Sequence, residues 1–118
     1  MGVMVDYVDL GPKRHGDYTH PDLIRLNPRC RQDQLLSALA HEFGHAVYCE
    51  DAKTANCKRA DEIGGSYVVT EREYEIAEGI YGPHPGAIAR HLGVTPRLVL
   101  GWQRWHDRTH PPVAREAD

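Results

Sequence analysis

The stretch Ala40-His41-Glu42-Phe43-Gly44-His45-Ala46 sets two histidines four residues apart, with a glutamate directly after the first. On a helix, residues i and i+4 lie one turn apart on the same face. Both imidazoles can then reach one zinc ion at about 2.0–2.1 Å. A glutamate beside the first histidine can take a proton from a water that zinc has brought to a pKa near ~7. The flanking residues Leu39, Ala40, Phe43, Ala46 and Val47 are small or apolar. Polar groups set against such a face are costly unless something satisfies them, and a metal would. His41 and His45 are therefore read as zinc ligands and Glu42 as the catalytic proton carrier.

A zinc site of this kind needs a third protein ligand, with water in the fourth position if it is catalytic. The next polar, helical stretch offers Cys57, Asp61 and Glu62. Cys57 and Asp61 are four apart and share a face, so either can point back at the histidines. The plainer alternatives are a buried free thiol for Cys57 and, for Asp61, a solvated charge or a hydrogen bond to a motif histidine. Cys49, one turn beyond His45, is a weaker candidate. Gly44 permits close approach of a second helix or of a substrate backbone.

These residues need a scaffold. Residues 3–10, apolar at 3, 5, 8 and 10, read as a strand that stops at Gly11-Pro12. Residues 13–21 are polar and read as turn-rich, and 22–26 read as a second strand stopped by Asn27-Pro28. Across 31–49 the apolar residues fall at 35, 36, 39, 40, 43, 46 and 47, the spacing of a helix. A loop is expected over 50–56 and a helix over 57–69, which Gly64-Gly65 weakens by roughly 1 kcal/mol per glycine. Shorter helices follow at 71–80, 87–92 and 96–107, with a break at 82–86 and a frayed tail from Thr109. The fold class is thus α+β in a single domain, 1–118: a small N-terminal sheet followed by a mostly helical half.

Composition agrees with such a domain. The chain has 118 residues, 41% hydrophobic and 26% charged. Its apolar runs fall short of the ~18 residues a membrane span needs. Its start lacks the basic flank and apolar stretch of a secretory signal. The three cysteines, Cys30, Cys49 and Cys57, form no C-x-x-C. A cytoplasmic protein holding reduced thiols is expected, with no membrane partner.

At this point the chain resembles the ImmA/IrrE group of zincin-type metallopeptidases, found in phages, mobile elements and some bacterial stress loci. The likeness runs from about residue 22 to 108. It rests on Leu39-Ala40-His41-Glu42-Phe43-Gly44-His45-Ala46 and on a second helix resembling E-x-x-A-[ND]-x-[FW]-A. That segment here reads Cys57-Lys58-Arg59-Ala60-Asp61-Glu62-Ile63-Gly64, followed by Tyr67-Val68-Val69. The family's third ligand is the glutamate opening that motif, and this chain has Cys57 there. A His₂Cys site is sound zinc chemistry, but a thiolate leaves bound water less acidic than a carboxylate does. Asp61, one turn later, is the alternative ligand.

The resemblance implies a minimal zincin-like domain and regulated proteolysis, often of a helix-turn-helix repressor encoded nearby. Zinc-activated water would attack the peptide carbonyl, and Glu42 would pass the proton to the leaving amine. An oxyanion stabiliser is also implied, with Tyr67, Tyr74, Tyr81 and His84 as candidates.

Residues 86–110 carry four arginines (90, 97, 104, 108) against Asp107, a net +3, while the remainder carries −6. Ala89, Gly93 and Val99 are spaced as in a helix-turn-helix. A helix pair that closes the core, with Leu98, Val99, Trp102 and Trp105 as packing, is favoured over nucleic-acid contact. The rival function is a non-enzymatic, zinc-stabilised module contacting DNA or a protein partner through these helices.

Overall fold

The structure, a computed structural model, describes residues 2–48 and 57–111. The expected loop over 50–56, Cys49 and most of the expected tail lie outside the described residues. Three strands come first, β1 (Met4–Tyr7), β2 (Gly16–Thr19) and β3 (Leu23–Leu26). Five helices follow, α1 (Gln32–Tyr48), α2 (Cys57–Val68), α3 (Glu71–Tyr81), α4 (Pro85–Leu92) and α5 (Pro96–Thr109). The α+β expectation therefore holds.

The sheet order is β1-β3-β2. β1 runs parallel to β3, with Met4 opposite Leu23, and β2 runs antiparallel to it, with Asp17 opposite Arg25. β2 corrects the reading of 13–21 as turn alone. The strand is polar because its register rests on a charge pair rather than on apolar alternation: Arg25 Nε donates to Asp17 Oδ1 at 2.8 Å, and its Nη2 pairs with Oδ2. Asn27, read only as a breaker, is fully buried. Its Nδ2 donates to the carbonyls of Gly11 and Arg14 at 2.7 Å each, and its Oδ1 accepts from the Arg29 N–H at 3.1 Å. That side chain holds the 11–15 loop beside β2.

α1 serves two cores. Ala38, with Leu35, Leu39 and Phe43, packs on Ile24 and Leu26 of the sheet. Ala40 joins the second cluster, built from Val69, Tyr74, Ala77, Ile88, Ala89, Val94, Leu98, Val99 and Trp102. α2 lies between α1 and α5. A Cβ on Gly44 would overlap the backbone of Ala60, and one on Gly64 would overlap the backbone of Ala40. The glycines weaken α2 in isolation, yet they are what lets the two helices meet backbone to backbone. On the far side of α2, a Cβ on Gly101 of α5 would come within 2.7 Å of Asp61.

The C-terminal helices begin and end on local signals. Thr70 and Glu73 form a reciprocal capping box that starts α3. Pro85 and Pro96 sit in the first turns of α4 and α5, and Gly93 ends α4 in the left-handed conformation. Leu98, Val99 and Trp102 are buried, so this pair packs into the core. Trp102 stacks on Tyr74 with ring centroids 4.2 Å apart. No helix among the described residues is long and apolar enough to cross a membrane.

Candidate metal centre

His41 and His45 project from one face of α1, as their spacing requires, and their Nε2 atoms lie 3.1 Å apart. Cys57, the first residue of α2, brings its Sγ within 3.9 Å of His45 Nε2. One ligand atom from each of His41, His45 and Cys57 falls within 4.8 Å of the others, a grouping that could hold a metal ion. Tetrahedral zinc at ordinary bond lengths sets two ligand nitrogens about 3.3 Å apart and a thiolate about 3.6 Å from either nitrogen. The observed separations need shifts of only a few tenths of an ångström to match. Cys57 is exposed rather than a buried thiol, so the third ligand atom stands at the open side of the site.

Asp61 occupies a different place from the one a ligand would take. Its Oδ1 accepts from His41 Nδ1 at 2.7 Å. Carboxylate acceptance at Nδ1 assigns the proton to that nitrogen and leaves Nε2 as the lone pair facing His45 and Cys57. Asp61 Oδ2 in turn accepts from Arg97 Nε at 2.8 Å. Asp61 is buried, and α2 lifts it into this position because Gly101 leaves room for α5 to close over its backbone. Attraction to Asp61 is the largest of the effects that raise the pKa of Arg97 above its ordinary value, and a hydrogen bond to Cys57 adds to it. Arg97 thus pairs with Asp61 in the cleft that Cys57 also lines. Glu62 faces elsewhere, toward Arg59, Arg104 and Arg108.

Glu42 is buried, and its Oε2 lies 4.0 Å from His41 Nε2. Burial is the dominant effect on its carboxyl and pushes its pKa up, opposed in part by His41. A carboxyl whose pKa burial raises, beside His41 Nε2, suits a group that accepts and releases a proton. The cleft in front encloses about 360 Å³ and is walled by His41, Glu42, Cys57 and Asp61, with Lys13, His15, Thr95 and Arg97 among the rest. Ser37 ties the entry to α5 onto α1 here, accepting from the Thr95 N–H at 2.8 Å.

No family model, curated protein or solved structure matches this chain.

None of the four residues expected as oxyanion stabilisers lines the cleft. Tyr67 lies edge-on to Phe43 at 5.1 Å, and Tyr74 is buried among Glu78, Gln103 and Trp102. Tyr81 leans on His91, and His84 is the N-cap of α4. Sequence reasoning missed His15 and Lys13, which sit in the segment taken for turn, and the role of Arg97, which was counted only toward a basic stretch. The signal for Arg97 was weak: a lone arginine 36 residues from its acid carries no local periodicity.

Proposed function

We propose that the chain is a zinc-dependent peptidase of the kind the ImmA/IrrE resemblance implies, phage- or prophage-encoded, cytoplasmic, and acting on a repressor-type regulatory protein. One observation carries this reading. Three ligand atoms from His41, His45 and Cys57 converge, and the buried Glu42 carboxylate stands 4.0 Å from one of them at the wall of an open cleft. Zinc bound there would supply Lewis acidity and a water acidified to a pKa near ~7.

The chain's own residues account for the rest. His41 and His45 would offer their Nε2 atoms to the ion, and Asp61 fixes the tautomer and orientation of His41 through Nδ1. Glu42, held in a site that disfavours its charge, takes the proton and delivers it to the leaving amine. His15 and Arg97 line the same cleft, and a donor from either would steady a developing oxyanion.

The basic C-terminal stretch lends less to the DNA-binding alternative. Arg97 pairs with Asp61, and Arg104 and Arg108 pair with Glu62, so three of its four arginines face acids of α2. The test is metal content and hydrolysis measured together. The purified chain holds about one zinc in this site; His41→Ala and His45→Ala remove it, and Glu42→Gln keeps the zinc and the fold but abolishes cleavage of an unstructured peptide pool read by mass spectrometry. Zinc retained in the His41→Ala/His45→Ala double variant overturns the metal centre. Zinc bound normally with no cleavage by the unmodified chain, of the pool or of a helix-turn-helix repressor, favours the zinc-stabilised module instead.

A further inference from the structure

A second convergence of metal-ligating side chains lies at the other end of α5. His106 and His110 are four apart at its C-terminal end, and Glu71 opens α3 beside them. His106 Nε2 and Glu71 Oε1 are 3.2 Å apart, close to the roughly 3.4 Å that tetrahedral zinc sets between a nitrogen and an oxygen ligand. One ligand atom from each of the three residues falls within 4.8 Å of the others. The adjoining cleft, about 380 Å³, is lined by four carboxylates, Glu71, Glu75, Glu78 and Asp107, and by no lysine or arginine. Such a cleft concentrates cations at its mouth.

We propose that Glu71, His106 and His110 form a second divalent-metal site, separate from the centre on α1 and α2, that clasps the first turn of α3 to the end of α5. Two imidazoles and one carboxylate suit zinc, nickel or cobalt, whereas calcium and magnesium prefer all-oxygen sets. The His106 and His110 rings are stacked, 4.4 Å apart and within 8° of parallel. A metal lies in the plane of the imidazole that binds it, so His110 must turn out of this stack while the Glu71–His106 pair stays. His110 is exposed and caps the helix rather than lying within it, and its ring makes that turn by giving up a 2.9 Å hydrogen bond between its Nδ1 and Thr109 Oγ1. Trp105 lies edge-on to His110 at 5.6 Å, and the turn therefore alters the surroundings of an indole.

The site is tested on the full chain supplied with one equivalent of zinc, by calorimetric titration of further Zn²⁺ and by tryptophan emission on addition of Ni²⁺. A further equivalent binds and the emission changes. His110→Ala and His106→Ala abolish both responses, and Glu71→Gln weakens binding at least tenfold. His106 stacks on Trp102 at 4.9 Å, so its variant can disturb the core; His110→Ala and Glu71→Gln change exposed side chains and keep the test decisive. Absence of a further equivalent at millimolar zinc, or one that persists in His110→Ala, overturns the site. The result is independent of the first centre, because His41→Ala, titrated from the metal-free state, still binds one equivalent here and still changes its emission.

Discussion

His41 carries a different partner on each ring nitrogen, and that difference separates the roles of the two acids-in-waiting on α2. Asp61 is bonded to Nδ1, on the far side of the ring from the lone pair that faces Cys57. The two residues are four apart and were indistinguishable by spacing; which nitrogen each one meets depends on how α2 crosses α1, and that is a tertiary fact. Removing a ligand should cost more than removing the group that orients one. Asp61→Asn is expected to weaken zinc binding about 10–100-fold, and Cys57→Ser to weaken it more, in competition titrations against a chromophoric chelator. A larger loss in Asp61→Asn would exchange the two roles. Glu42 offers a check that needs no metal. Its folded pKa is raised by burial, so its protonated form favours the fold and that contribution is lost as pH climbs through the raised value. In chelator-treated protein, Glu42→Gln should therefore be the more stable at neutral pH, and the gap should close as pH falls toward the ordinary carboxylate value of about 4.3. A gap independent of pH would mean that the carboxylate is not desolvated.

The helices were readable where their information is local, and unreadable where it is not. The face of α1 follows from apolar residues three and four apart, and the start of α3 from a threonine and a glutamate at capping spacing. β2 left no such trace: Gly16, Asp17, Tyr18 and Thr19 do not alternate apolar and polar, and what pins the strand is tertiary, Asp17 on Arg25 of its neighbour and Tyr18 against the core under the sheet. The glycines of α2 looked like a weakness for a related reason, since a propensity scale counts the helix and not what crosses it. Alanine at Gly64 gains roughly 1 kcal/mol in helix propensity, but its Cβ overlaps the Ala40 backbone and must drive α1 and α2 apart. Overpacking of that kind typically costs about 1–3 kcal/mol, and the displaced partner here is backbone, so a net loss is expected. Gly79, exposed on α3 with open space where a Cβ would stand, should show the opposite sign, a gain of roughly 0.5–1 kcal/mol on Gly79→Ala. Urea melts of the two variants decide it. On α5, Trp102→Ala should cost on the order of 3–5 kcal/mol for truncating a buried aromatic.

At the scale of the whole molecule the apolar residues form two clusters, one under the sheet and one among the C-terminal helices, and α1 contributes to both. The candidate metal centre stands at that seam. His41 and Glu42 come from α1, Cys57 and Asp61 from α2, and Arg97 from α5, while the 11–15 loop held by Asn27 closes the cleft from the sheet side. A metal there joins α1 to α2 at a point where the chain between them, 49–56, is long in sequence but the helices are packed closely. Ligand that binds only the folded state stabilises it by RT ln(1 + [L]/Kd), about 2.7 kcal/mol when free ligand is a hundred times Kd. For a domain of this length that is a rise in melting temperature on the order of 10 °C. Chelation should therefore lower the melting temperature of the full chain by several degrees, and added zinc should restore it. The measurement belongs in the His110→Ala background, so that only the seam responds. Cys57→Ser and His41→Ala should melt near the chelated value with or without zinc. If the unmodified seam melts at the same temperature with and without chelator, then the ion does not join the two halves of the molecule, however well its ligands are arranged to receive it.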